Sequence, residues 1–506
     1  MRESTATWKS FETALPALKI LIVVIVLTYA IKHALRAYFG SLARVPGPRL
    51  RAVTVLPHLY SMWNGSEAKT VARLHGQYGP VVRLAPDLVS FIGEGKVWRK
   101  IYATRSEGFS AFTKDLLFYD KPLNNVPGPF STEDPDNARM RKALAPAFSE
   151  HALKQYDARF THWCAMLRRK LGESVDKETP VDMVKMFNCT TFDILSDMML
   201  SEPLNMLEDG EYVPFVANIF AILKHVTRFK TLRYLNRGFA EGLQRLLMLV
   251  PAIRRFPEKH HHFVCAQVDK RLNRTQKSDI WAFVTADSAA ASTIEREERY
   301  SIANEFMIAG TETSATTLSG LLYLLLCNPA WLSRLTMDLR AQFSGVEEIF
   351  MTALQSNKIL DAVLKEGMRV YPAVPVGFAR YVPRGGTEIE GYFMPEGTRV
   401  AIYHLATYRD ENLWRHPGSF RPERWLGDDD FKQDHLDSFM PFSTGPRVCI
   451  GKSFAMHEMR LILATLLVSF DVELHPDSEG WMDQQQNYLV WEKPPLYVKL
   501  KPVGSS

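Results

Sequence analysis

From Glu298 to Cys327 the chain carries a long, mostly apolar stretch that runs into Asn328-Pro329. Proline cannot continue a helix and pushes the residue before it out of helical backbone space, so the stretch reads as one helix with a defined end. A helix apolar on most faces must be enclosed by other elements and cannot lie on a surface. That demands a large domain built around it, and 506 residues suffice. Further helices are predicted over 330–343, 349–370 and 450–470. Strand pairs are predicted at Pro80–Ala85 with Leu88–Ile92, and at Glu388–Tyr392 with Thr398–His404 around the Pro-Glu-Gly turn at 395–397. No repeat or low-complexity tract interrupts this pattern. The expected fold is mainly α with a small β-rich subdomain.

The N-terminus reads differently. From Ala14 the sequence is apolar through Ile31, broken only by Lys19, and with Lys32 and His33 snorkelling it extends to Leu35. About 20 such residues are enough for one transmembrane helix. Lys32, Arg36, Arg44, Arg49 and Arg51 follow it, whereas Arg2 and Lys9 upstream are offset by Glu3 and Glu12, so the body is expected on the cytosolic side. Basic and aromatic residues follow the run in place of a small-x-small cleavage site, which disfavours a signal peptide. Val45-Pro46-Gly47-Pro48-Arg49 is a stiff turn. Residues 1–45 are therefore expected as a membrane anchor with a basic linker, and 46–506 as a single domain.

Charged residues at 23% and hydrophobic ones at 46% exclude a disordered or fibrous chain, and a formal charge of +5 is too small to argue for nucleic-acid binding. Cys164, Cys189, Cys265, Cys327 and Cys449 are scattered and odd in number, with no C-x-x-C pair. That pattern supports neither a disulfide framework nor a zinc site, and suits a reducing compartment. Lys259-His260-His261-His262 reads as a solvated surface run, because three consecutive residues on a helix cannot all face one ion.

One cysteine has a special setting. Phe442-Ser443-Thr444-Gly445-Pro446-Arg447-Val448-Cys449-Ile450-Gly451 is a loop that turns into an apolar helix. A thiolate there lies at a helix N-terminus, whose dipole is expected to lower the thiol pKa. Such a sulfur is a good axial ligand for iron. Gly-Lys-Ser at 451–453 resembles the end of a phosphate loop, but five residues separate Gly445 from Gly451 where that motif has four, so a nucleotide site is excluded.

Inside the long helix lies Ala309-Gly310-Thr311-Glu312-Thr313-Ser314. Mid-helix glycine costs ~1 kcal/mol relative to alanine, so Gly310 asks for a packing or functional reason. An acid and a hydroxyl among apolar neighbours can pass protons, or the threonines can bond back to i−4 carbonyls. Glu366-Gly367-Met368-Arg369 places opposite charges at i and i+3, a spacing that by itself fits an exposed ion pair. Pro422-Glu423-Arg424-Trp425 follows.

These four elements, in the chain order helix motif, E-x-x-R, P-E-R-W and cysteine loop, resemble the signatures of the haem-thiolate monooxygenases, the cytochromes P450, and the resemblance runs from the Pro-Gly-Pro turn to near Lys501. It implies haem b with Cys449 as proximal ligand, Arg447 at a haem propionate and Phe442 shielding the sulfur. Gly445 and Gly451 would let the backbone pass close to the porphyrin. Ala309 and Gly310 would form an oxygen groove where the helix bends, with Glu312 and Thr313 delivering protons. Glu366, Arg369 and Arg424 would lock together as a structural network. Arg141 and Arg380 are further propionate candidates, or else surface charges. The family usually has Trp or His where this chain has Asn137.

No dinucleotide fingerprint or flavin module is present, so electrons must come from another protein, docked on a face carrying Lys142, Arg447, Lys452 and Arg460; the resemblance implies that this partner is a membrane-bound flavoprotein, the NADPH–cytochrome P450 reductase. By analogy the pocket is apolar, drawing on Phe109, Phe130, Phe306, Val374, Val376, Phe378 and Leu489, which suits a lipophilic substrate. The wording around Arg380 and Pro422 resembles fungal members that hydroxylate secondary metabolites such as terpenoids and polyketides. The expectation is a monomeric, single-pass enzyme of the endoplasmic reticulum membrane that inserts one oxygen atom from O2 by hydroxylation or epoxidation. The rivals are a haem-thiolate isomerase or dehydratase, disfavoured by the intact Glu312–Thr313 pair, and a non-catalytic haem protein.

Overall fold

The computed structural model describes residues 34–103, 111–119, 124–177, 179–200, 202–274, 279–286 and 292–504, with a few positions between 20 and 32. Most of the expected membrane anchor, and Phe109, lie outside the described residues. Among the described residues no single helix is long and apolar enough to cross a membrane.

The long helix runs from Arg296 to Leu326 and is started by a capping box in which Glu295 and Glu298 satisfy each other's backbone N–H groups. Most of its second half is buried on every face, as its composition requires. The helices Met183–Leu200, Lys358–Val370 and Lys452–Ser469 pack around it. The region 349–370, predicted as one helix, is two, Met351–Gln355 and Lys358–Val370. The break falls where the Asn357 side chain caps the second helix by accepting from Leu360 N at 2.8 Å.

The β-rich part is a five-stranded sheet in the spatial order Val81–Ala85, Leu88–Phe91, Arg399–Ile402, Arg380–Tyr381, Thr113–Lys114. Only the Leu88–Phe91 pairing with Arg399–Ile402 is parallel. The first predicted hairpin is present, but the second is corrected. Glu390 and Gly391 have φ of 48° and 76°, so they form a tight turn joining Thr387–Ile389 to Tyr392–Met394. Arg399–Ile402 is thereby released to pair with Leu88–Phe91. A three-stranded antiparallel sheet (Val181–Asp182, Tyr497–Pro502, Phe470–Leu474) and a hairpin of Gln486–Tyr488 with Val490–Glu492 complete the β structure. The histidine run is not wholly solvated: half-buried His260 bonds Asn304 of the long helix at 2.6 Å through Nε2.

Candidate active site around Cys449

The cysteine loop is closed by its own backbone: Cys449 N donates to Phe442 O at 2.9 Å, and Val448 N donates to Gly445 O at 3.0 Å. Gly445 has φ +76°, and a Cβ there would lie 2.1 Å from Tyr102 O. The loop therefore seats on the end of the helix Gly95–Tyr102 as only glycine allows. A Cβ on Gly451 would reach 4.0 Å from Cys449 Sγ, which is ordinary contact, so the sulfur does not itself demand that glycine.

The thiol is solvent-accessible, yet protein surrounds it closely. Burial raises its pKa, and the opposing effects of Gly451 N–H, Arg141 and Lys452 are smaller. This corrects the sequence expectation of a lowered pKa. The helix dipole and cations are present, but removal of the thiolate from water outweighs them. A metal ion bound at the sulfur reverses that balance, because a coordinating thiol is deprotonated outright.

Behind the loop lies a buried ion network. Arg369 donates from Nε to Glu366 Oε2 at 2.9 Å and from Nη2 to Oε1 at 2.8 Å. Arg424 Nε joins Glu366 at 3.0 Å, and both ion pairs are wholly buried. Arg421 N and Trp425 Nε1 add bonds of 2.8 and 3.0 Å to the same carboxylate. Burial works to raise the Glu366 pKa, but Arg369 and Arg424 overcome it and hold it below the usual range. Arg369 also ties the carbonyls of Tyr408, Pro417 and Ser419. Trp425 packs against Phe439 with the rings tilted and their centroids 4.7 Å apart, and Met440 is fixed between Tyr408 and His404. The network thus sets the chain that enters the cysteine loop at Phe442.

On the long helix, Ala309 is exposed and Thr313 half-buried in the middle of a core element. The threonines bond back along the helix: Thr311 Oγ1 to Met307 O at 2.6 Å and Thr313 Oγ1 to Ala309 O at 2.7 Å. The helix is continuous there. Gly310 has a packing reason, since a Cβ would lie 2.9 Å from Leu195 Cδ2 of the helix Met183–Leu200. Glu312 is buried and turned away from Thr313, as successive helical residues must be, and pairs with Lys493.

A second cluster is cationic. Arg447 donates to Asp134 at 2.7 Å and to the carbonyls of Pro129 and Thr132. Arg380 is buried, with its guanidinium 5.2 Å from the Tyr102 ring. Lys114, not singled out in the sequence, donates to Phe130 O and, at 3.3 Å, to Thr132 O. Burial, then the charges of Arg447 and Arg380, depress its pKa to about 7. Arg141 is half-buried and feels both Cys449 and Arg447. Asn137 donates to Pro129 O at 2.7 Å, so it serves the same loop. Two of the four cations expected on the docking face are turned to protein partners, Arg447 to Asp134 and Arg460 to Asp361. Lys142 and Lys452 remain exposed there, beside an open groove of about 350 Å³ lined by Asn137, Arg141, Lys142, Pro446 and Ile450.

Of the expected pocket residues, Phe130 and Phe378 meet with ring centroids 5.9 Å apart, joined by Phe118 and Tyr119. Phe306 packs edge-on against Phe148, and Val376 is buried in the core. A haem fits these residues: the accessible sulfur offers a soft iron ligand, the exposed Ala309 leaves a core helix uncovered, and Lys114, Arg141, Arg380 and Arg447 outnumber their acidic neighbours where two propionates need partners.

The cytochrome P450 family model matches residues 45–500. The chain is 41% identical to cytochrome P450 monooxygenase efuB of Hormonema carpetanum, over 92% of each chain. It is 36% identical to cytochrome P450 monooxygenase FUM2 of Gibberella moniliformis, over 91% of this chain and 98% of that one. Its identity to cytochrome P450 monooxygenase stcF of Emericella nidulans is also 36%, over 95% and 99%.

Proposed function

This chain belongs to the cytochrome P450 family and is a monooxygenase, and from that premise we propose that Cys449 holds the haem iron while Glu312 and Thr313 deliver protons. The observation that carries the assignment is the sulfur of Cys449, enclosed by the Phe442–Gly451 loop yet left accessible. The haem, when bound, supplies activation of O2 and transfer of one of its atoms to the substrate.

The chain's own residues do the rest. Phe442 and Gly445 fix the loop so that the sulfur has one position. Arg141, Arg380, Arg447 and Lys114 orient the cofactor through its carboxylates. The Thr313 hydroxyl faces the exposed patch at Ala309 and donates within the helix, so its oxygen is free to accept a proton and pass one on. Glu312 replenishes that proton from the buried side through water, since the two side chains do not share a helix face. Two electrons from NADPH, carried by a flavoprotein reductase docked over Lys142 and Lys452, balance the second oxygen atom leaving as water.

The aromatic group Phe118, Tyr119, Phe130 and Phe378 supports a lipophilic substrate, hydroxylated or epoxidised, and the relatives support a place in fungal secondary metabolism; the terpenoid or polyketide type rests on the sequence around Arg380 and Pro422 alone. The apolar run before Leu35 supports a single-pass endoplasmic reticulum anchor within 1–45, with a monomeric catalytic domain over 46–506 facing the cytosol. Reconstitution with reductase, NADPH and a panel of such metabolites tests this. Oxygenated product that depends on NADPH and carries label from 18O2 supports it, and NADPH-independent rearrangement of a hydroperoxide overturns it.

A further inference from the structure

Lys493 stands in the link between Val490–Glu492 and Tyr497–Pro502, just before Pro494-Pro495, far from every motif. Its backbone is near the surface, but its side chain runs inward and is 3% exposed. The ammonium donates to Glu312 Oε1 and, at 2.7 Å, to Thr316 Oγ1. Thr316 Oγ1 in turn lies 3.3 Å from Glu312 Oε1. Glu312 Oε2 is buried, and among the described residues it has no partner.

The carboxylate is therefore asymmetric: one oxygen is saturated by a cation and a hydroxyl, and the other is empty. A lone carboxylate this deep would be driven to its neutral form. Among the described residues, two phenols also feel Glu312, Tyr371 and Tyr212, and neither supplies positive charge. Lys493 is the cation that makes an ionised Glu312 tolerable.

We propose that Lys493 is a positioning residue for proton delivery, holding Glu312 ionised and turned so that Oε2 is the atom that takes up and releases the proton. This rests on the reading of Glu312 as a proton donor given above. Each turnover then loads a proton from water onto Oε2, with Oε1 still held by Lys493, and its release toward Thr313 restores the ion pair. No electrons move in this step.

The test compares Lys493→Met, Lys493→Arg, Glu312→Gln and Lys493→Met/Glu312→Gln in the haem-loaded full chain. The first readout is infrared absorption. Lys493→Met should gain a band of a protonated buried carboxylic acid, absent in the wild type and in Lys493→Arg, and lost again in the double variant. The second is product formed per NADPH. It should fall about tenfold or more in Lys493→Met, within the ~10²–10⁴ that a positioned proton donor contributes, and be rescued by Lys493→Arg. The double variant leaves no unpaired charge, so it should fold even where Lys493→Met does not, and should couple no better than Glu312→Gln. If Glu312→Gln itself couples normally, the donor role fails. If Glu312→Gln uncouples but Lys493→Met shows neither the band nor the loss, the role of Lys493 fails while that of Glu312 stands.

Discussion

The backbone N–H of Cys449 donates to the carbonyl of Phe442 at 2.9 Å, so the sulfur sits on a loop locked by the residue that begins it. The lock needs Gly445, whose φ of +76° and contact with Tyr102 O leave no room for a side chain. Gly445→Ala is expected to cost at least the ~1–3 kcal/mol of a strained non-glycine residue, with further loss from the overlap. The check is the melting temperature together with haem content after purification. An alanine variant that keeps both at wild-type level contradicts the account of the loop.

Removing one partner from a wholly buried ion pair strands the other. Glu366→Ala strips Arg369 of its carboxylate and leaves Arg424 with Asp434 alone, and a loss of about 3–5 kcal/mol is expected. Denaturant unfolding measures it. Haem content should fall in parallel, because Trp425 and Met440 connect this network to the cysteine loop.

Thr313→Ala removes a hydroxyl that, among the described residues, bonds only within its own helix, so stability should change little. Coupling should not survive: NADPH oxidation continues while peroxide replaces product. Stoichiometry of NADPH, peroxide and product checks this, and unchanged coupling removes Thr313 from the relay.

Glu458, on the helix that follows Cys449, is fully buried, and neither carboxyl oxygen has a well-formed hydrogen bond. Burial raises its pKa from 4.5 to about 8, with the neighbouring Ser314 hydroxyl opposing weakly. A raised folded-state pKa means the folded chain binds the extra proton. Its contribution is fully present below about pH 4.5 and is lost as pH rises through about 8. Glu458→Gln should therefore be more stable than wild type at pH 9, and its stability should vary less between pH 5 and 9. Unfolding curves across that range decide it. Parallel profiles for the two proteins contradict a protonated Glu458.

Elements whose cause is local could be read from the chain. The long helix, its stop at Asn328-Pro329 and the strands around residue 86 follow from periodicity and from proline. The turn at Glu390-Gly391 is hidden in the sequence because the Pro-Glu-Gly nearby is an equally good turn signal, and the parallel partner Leu88–Phe91 decides between them. Glu366 and Arg369 have the spacing of a surface pair, and their burial depends on Arg424, 58 residues on. Lys114 and Lys493 carry no local pattern at all. Each matters through a residue brought close by the fold, Arg447 for one and Glu312 for the other. The direction of the Cys449 pKa went the other way because the helix N-terminus is visible in sequence and the depth of burial is not.

The most direct test of the central claim is the absorption spectrum of the dithionite-reduced protein under carbon monoxide, beside that of Cys449→Ser. A strongly red-shifted Soret band in the wild type, lost in the variant, is the result predicted for sulfur ligation through Cys449. A wild-type band at the position of histidine-ligated haem, or a red-shifted band that persists without Cys449, contradicts it.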